Sequence, residues 1–217
     1  MARIQIRQEQ PADFREAERV TREAFWNCYA PGCTEHYLLH VMRGAPAFVP
    51  SLDFVAVADG NIVGSVVFCK AFILRDNGNR YEVLTLGPIA VLPALQRQGV
   101  GRALIAHARN AAARQGYRAI LLCGDPEYYA KTGFTPAERF GIRTSENKYA
   151  AALHACPLHA DALKNVAERY FEDAVYAVDE AGALAFDQRF PAKERLAGTP
   201  AQRRFEQVLA MQRPCQG

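Results

Sequence analysis

The sequence has no concentrated run of basic side chains and no long apolar segment. Lys and Arg number 26 against 23 Asp and Glu, which leaves a formal net charge of +3. A nucleic-acid partner requires a dense basic stripe to bind successive phosphates, so we expect none. No apolar run approaches the roughly 18 residues of a membrane span, and the N-terminus lacks the apolar core of a signal peptide. We therefore expect a soluble, cytoplasmic protein with no membrane partner.

Paired cysteine motifs are also absent. The six cysteines include no Cys-x-x-Cys pair, so neither a zinc spacing nor a disulfide framework is indicated. Two groups that contain histidine lack a recognisable ligand pattern: His36 with His40, and His154 with Cys156 and His159. The sequence therefore predicts reduced thiols and no bound metal.

Half of the residues are apolar, which is enough to form a real core. Alternating and short apolar runs predict strands at 4–7, 54–58, 62–72, 81–91, 119–123 and 151–158. Helical periodicity and helix-start signals predict helices at 11–26, 35–43, 99–116, 126–131, 179–188 and 200–213. The expected fold is α/β (α+β): a mixed, mostly antiparallel sheet with helices on both faces, split where two parallel strands diverge. Residues 159–217 are expected to form a C-terminal extension packed on a domain of residues 1–158.

The most informative stretch leads from an apolar strand into a helix through QRQGVG, residues 96–101. A helix N-terminus presents unpaired N–H groups and the positive end of the helix dipole. Gly99 and Gly101 leave those amides open to a ligand, which predicts a pyrophosphate cradle. Because position 104 is Leu and no Gly-Lys-Ser/Thr occurs, neither a dinucleotide fingerprint nor a P-loop is present. An ordinary helix start after a glycine turn remains the alternative.

Two neighbouring segments favour the phosphate interpretation. The sequence LGPI at 86–89 places Gly and Pro inside a strand, which is typical of a bulge or of a ligand approaching the backbone. An extended amide-bearing arm can pair with backbone groups exposed there. The sequence GDPEYYAKTGF at 124–134 then places tyrosines at the C-terminal end of the adjacent strand, where ligands bind in open α/β sheets.

Together these segments resemble the GNAT superfamily of acyl-CoA-dependent N-acyltransferases over residues 3–158, and most closely its bacterial subgroup with a Gly-Asp-Pro-x-Tyr-Tyr segment. The family's motif Gln/Arg-x-x-Gly-x-Gly/Ala is matched by Gln96, Gly99 and Gly101. Its motif Tyr-x-Lys-x-Gly-Phe is matched by Tyr129, Lys131, Gly133 and Phe134. The resemblance implies a GNAT-like fold, acetyl-CoA as cosubstrate without a metal, and acetyl transfer to a primary amine by direct attack.

The resemblance also implies roles for individual residues. The pantetheine arm would pair with Ile89, Ala90 and Val91, and the pyrophosphate would be held by Gln96, Arg97, Gln98, Gly99, Val100, Gly101 and Arg102. Tyr129 would protonate the leaving thiolate, and Glu82 is a candidate general base, with a water chain as the alternative. Trp26, Tyr29 and His36 would contact the acceptor.

The acceptor itself is expected to be a small-molecule or peptide amine, and no motif identifies it. A non-catalytic acyl-CoA-binding sensor or interaction module is the alternative function, and a longer acyl group is an alternative donor. Residues 159–217 are expected to cover the acceptor site or to form the interface of a homodimer.

Overall fold

The computed structural model describes residues 4–75 and 77–215. The described residues form ten strands: β1 Gln5–Gln8, β2 Phe54–Ala58, β3 Asn61–Leu74, β4 Arg80–Val91, β5 Ala119–Cys123, β6 Thr135–Pro136, β7 Lys148–Ala150, β8 Leu153–Pro157, β9 Arg169–Phe171 and β10 Gln212–Pro214. Six α-helices accompany them: α1 Phe14–Phe25, α2 Glu35–Met42, α3 Val100–Arg114, α4 Pro126–Tyr129, α5 Glu180–Asp187 and α6 Pro200–Ala210.

The main sheet has eight strands in the order β1-β2-β3-β4-β5-β8-β6, with β9 paired to β3. Among the named strands, β4 and β5 are the parallel pair, and the others pair antiparallel. The predicted mixed, mostly antiparallel sheet is therefore confirmed, and β2, β3 and β4 form an antiparallel meander within it. The helix α3 joins the two parallel strands in a crossover.

Alternation along the strands produces a core on each face of the sheet. In β2, Phe54 and Ala56 pack in the core that contains Leu104 of α3. The intervening Val55 packs in the core that contains Val20 of α1 and residues of α2. The sheet is therefore covered by helices on both faces, as the sequence predicts.

The sheet splits where β4 leaves β5. The two strands pair only at Leu84 with Ile120 and at Thr85 with Leu121. Immediately afterwards the register of β4 against β3 shifts, at the Gly87–Pro88 peptide, which is cis. From this point to Val91, the edge of β4 that faces β5 has no strand partner among the described residues. The predicted divergence is therefore present, and it opens a gap at the C-terminal ends of the parallel strands.

Residues near the C-terminus contact both sides of this gap, one at β4 and the other directly after β5. The hydroxyl of Tyr176 donates to the carbonyl of Gly87 at 2.9 Å, and Arg204 of α6 is paired with Asp125 at 2.8 Å. The predicted helix over 200–213 is too long, because α6 ends at Ala210 and the next residues form β10. The strand β10 pairs with β7, and neither strand was predicted. No helix in the described ranges is long and apolar enough to cross a membrane.

Candidate active site

Two adjoining cavities occupy the gap between β4 and β5. The first, the glycine-loop cavity, has a volume of about 570 Å³ and lies over the N-terminus of α3. The second, the C-terminal cavity, has a volume of about 490 Å³ and is partly walled by α6. They share the side chains of Phe25, Cys28, Tyr29, Ile89 and Tyr129. Two ligands bound in these cavities would therefore meet at this common wall.

The N-terminus of α3 presents free amides to the glycine-loop cavity. Gly99 caps the helix with φ +92°, a left-handed conformation that favours glycine. The first amide with a backbone partner in the helix is that of Ala103, which donates to the carbonyl of Gly99 at 2.9 Å. The preceding amides are therefore available to an anion. Arg97, Arg102 and Lys131 add positive charge to the same cavity.

Most of the predicted cofactor residues line this cavity: Ile89, Val91, Gln96, Arg97, Gly99, Gly101 and Arg102. The side chains of the other three predicted cofactor residues do not line the cavity. Ala90 is buried and packs with the α1–α2 side of the sheet, because successive strand residues face opposite ways. Val100 packs in the α3 core, and the side-chain amide of Gln98 donates to the carbonyl of Ala94 at 2.9 Å. Only the backbones of these residues remain candidates for cofactor contacts.

Tyr129 forms the boundary between the two cavities. Its ring packs closely on Gly124, where an added Cβ would stand 2.2 Å from Cε2 of the tyrosine. The residue is only 9% exposed, and its hydroxyl has no hydrogen bond within the described part of the chain. Burial raises the pKa of Tyr129 well above its ordinary value. The phenol is therefore protonated at neutral pH and free to donate.

The C-terminal cavity combines apolar walls with carboxylates. Phe25, Leu38 and Leu86 come from the central sheet and its first helices, and Phe205 and Val208 come from α6. The acidic side chains are Glu35, Asp125 and Glu172. Burial raises the pKa of Glu35 and of Glu172, whereas the hydrogen bond from Arg204 lowers that of Asp125.

The three predicted acceptor residues have different locations. Tyr29 lines both cavities, and its ring stacks on that of Phe205 with centroids 4.3 Å apart. Trp26 lines neither cavity, and its indole donates to the carbonyl of Glu194 at 2.8 Å. His36 is fully buried and also lines neither, because its Nε2 lies 3.2 Å from Asp187 of α5.

The predicted general base, Glu82, lies elsewhere. It borders a separate hollow formed with Arg80, Tyr81 and the 115–118 segment. Its carboxylate is 60% exposed and lies 3.8 Å from Nζ of Lys70. Since β4 diverges from β5 only after Thr85, Glu82 precedes the gap, and it lines neither cavity. The position of Glu82 therefore does not support its assignment as the base: the described carboxylates that line the C-terminal cavity are Glu35, Asp125 and Glu172.

Sequence reasoning missed Glu35, Glu172 and Arg204, and no motif marks them. Cys123 also lines the C-terminal cavity. Burial, with a smaller effect from Glu172, raises the pKa of its thiol to about 12. The thiolate that a nucleophilic cysteine requires is therefore scarce at neutral pH.

Comparison with known proteins agrees with this geometry. Residues 51–136 match the family described as Acetyltransferase (GNAT) domain. This segment includes β2 to β6, the glycine loop and Tyr129. The chain is 28% identical over 162 residues to the uncharacterized N-acetyltransferase YhbS of Escherichia coli K12, a match that covers 74% of this chain and 91% of the relative.

Two solved structures are similar to the fold described here. One is YhbS from Escherichia coli in complex with CoA, with a TM-score of 0.73 and 25% identity, covering 82% of this chain and 94% of that one. The other is a GNAT family acetyltransferase from Brucella melitensis in complex with acetyl-CoA, with a TM-score of 0.64 and 26% identity, covering 81% and 99%. The chain is therefore an acetyl-CoA-dependent acyltransferase, and its residues 51–136 are similar to a GNAT acetyltransferase domain.

Proposed function

We propose that this protein is an N-acetyltransferase that transfers the acetyl group of acetyl-CoA to a primary amine by direct attack. The observation that carries the proposal is the position of Tyr129 in the common wall of two cavities. One cavity has the features of an anion site, and the other has the carboxylates and apolar surface of an amine site. The thioester and the amine would meet beside the tyrosine hydroxyl.

The glycine-loop cavity suits the donor. The free amides at the start of α3 and the guanidinium groups of Arg97 and Arg102 are suited to a pyrophosphate. The unpaired edge of β4 leads from these amides towards Tyr129 and offers backbone groups to an amide-bearing arm. The same kind of donor is present in the two similar structures, which contain CoA and acetyl-CoA.

The residues around the meeting point suit direct transfer. Attack by the neutral amine on the carbonyl carbon forms the new C–N bond, and the C–S bond then breaks to release the thiolate. Tyr129 donates its proton to that sulfur. The amine loses a proton to water or to a carboxylate of the C-terminal cavity. Cys123 forms no acyl-enzyme in this scheme, because its thiol stays protonated.

Titration calorimetry with acetyl-CoA tests the donor site. The unmodified protein is expected to bind acetyl-CoA saturably, and Gly101→Trp is expected to abolish binding because the indole fills the cavity. Arg102→Ala, which adds no bulk, is expected to weaken binding by about tenfold, since a hydrogen bond to a charged group contributes about 1.5–3 kcal/mol.

Arg114→Ala is the matched control, because Arg114 is an exposed residue at the other end of the same helix. Its affinity should equal that of the unmodified protein. If the unmodified protein fails to bind millimolar acetyl-CoA, or if Gly101→Trp binds it normally, the proposed donor site is wrong.

A further inference from the structure

Carboxylates outnumber cationic side chains in the C-terminal cavity. Its described lining residues include three carboxylates and one cationic group, the guanidinium of Arg204. Arg204 is already engaged, because it bonds Asp125 at 2.8 and 3.1 Å and Glu127 at 2.9 Å. The guanidinium of Arg204 therefore holds α6 in place and is not free to bind a ligand.

Glu35 and Glu172 are the carboxylates that remain. Neither forms an ion pair in the described ranges of the chain. Glu35 is the first residue of α2, and its carboxylate accepts from the amide of Thr34 at 3.0 Å. Glu172 directly follows β9. Both side chains line the C-terminal cavity, so an ammonium group bound there would be attracted to their carboxylates.

A second observation concerns Tyr129, which lines the same cavity. The residue is 9% exposed, and its hydroxyl has no hydrogen-bond partner among the described residues. An acceptor bound in this cavity would therefore share it with an uncommitted hydroxyl and with two carboxylates that form no ion pair in the described ranges.

Most of the other residues that line the C-terminal cavity are apolar. Leu38, Pro88, Phe205, Val208 and Leu209 add apolar surface to the same cavity. The volume of about 490 Å³ is within the usual range of small-molecule sites, about 300–1,000 Å³. A carboxylate on the acceptor would find no free cation among the described lining residues and would be repelled by the charged forms of Glu35 and Glu172.

We infer that the acceptor is a small primary amine on an apolar body without a carboxylate, and that Glu35 and Glu172 face its ammonium group. This inference rests on the proposed function and adds the chemical class of the substrate. It also gives the C-terminal extension a role, because α6 supplies part of the apolar wall and the segment after β9 supplies one of the two carboxylates.

The test compares 2-phenylethylamine with L-phenylalanine, which differ only in the carboxylate. Binding is measured by calorimetry on the protein loaded with CoA, so that no turnover occurs. We expect 2-phenylethylamine to bind about 100-fold more tightly than phenylalanine. Glu35→Gln and Glu172→Gln should each lower the affinity for 2-phenylethylamine by about tenfold, with unchanged CoA affinity as evidence of folding.

Glu146→Gln is the control, since Glu146 is exposed on the surface and pairs only with Lys148 in the described contacts. The inference is overturned if 2-phenylethylamine does not bind, if phenylalanine binds equally well, or if neither cavity variant changes the affinity. Acetylation of phenylalanine at an equal rate would overturn it while leaving the proposed function intact. Selective amine binding without any acetyl transfer would instead contradict the proposed function.

Discussion

Tyr129→Phe is expected to lower kcat for acetyl transfer by about 100-fold, the lower end of the range for general acid–base groups. The phenyl ring preserves the packing on Gly124 and removes only the proton donor. The Kd for acetyl-CoA should stay near that of the unmodified protein, because the anion site at α3 is unchanged. Calorimetry and a thiol-release assay on the same preparation separate the two quantities.

The matched control for this prediction is Tyr149→Phe, which removes a tyrosine hydroxyl on β7 that lines neither cavity. Its kcat should be unchanged. If Tyr129→Phe retained full kcat, the leaving thiolate would not depend on this hydroxyl, and the role assigned to Tyr129 would be wrong.

Asp187→Ala is expected to lower the free energy of unfolding by about 3–5 kcal/mol, the usual cost of breaking a buried ion pair by removing one partner. The Arg22 side chain is only 2% exposed, and its Nε lies 2.6 Å from Asp187 Oδ1. Without that carboxylate, the guanidinium of α1 stays buried against the C-terminal extension with no described acidic partner. Urea unfolding followed by circular dichroism measures the change.

Glu146→Ala provides the comparison for a surface pair. Glu146 and Lys148 have side-chain exposures of 69% and 41%, and exposed pairs contribute about 0–1 kcal/mol. If Asp187→Ala cost no more than this control, the contact between α1 and α5 would not hold the extension on the domain.

The predicted donor site rests on local sequence patterns. The glycine loop, the interrupted strand and the helix that follows lie within residues 86–114, so their relative geometry depends on short-range chemistry. The parallel pairing of β4 and β5 follows from a single crossover. For these reasons Gly99, Arg102 and Tyr129 could be assigned from the sequence, and the structure brings all three to one cavity.

The acceptor site could not be predicted in the same way, because its residues are brought together by long-range pairing. Glu172 reaches the cavity through β9, which pairs with β3 about 100 positions earlier in the chain. Phe205 reaches it through α6, which is held by an ion pair with Asp125. Trp26 and His36, which the sequence analysis expects to contact the acceptor, line neither cavity but contact Glu194 and Asp187.

The central claim is that the two cavities bring a thioester and an amine together beside Tyr129. The most direct test incubates the purified protein with acetyl-CoA and a panel of primary amines, and quantifies free thiol and N-acetylated amine by mass spectrometry. The account predicts one N-acetyl product for each CoA released, and a large loss of both in Tyr129→Phe. Binding of acetyl-CoA without formation of any N-acetyl amine would contradict it, and would indicate a non-catalytic acyl-CoA-binding module.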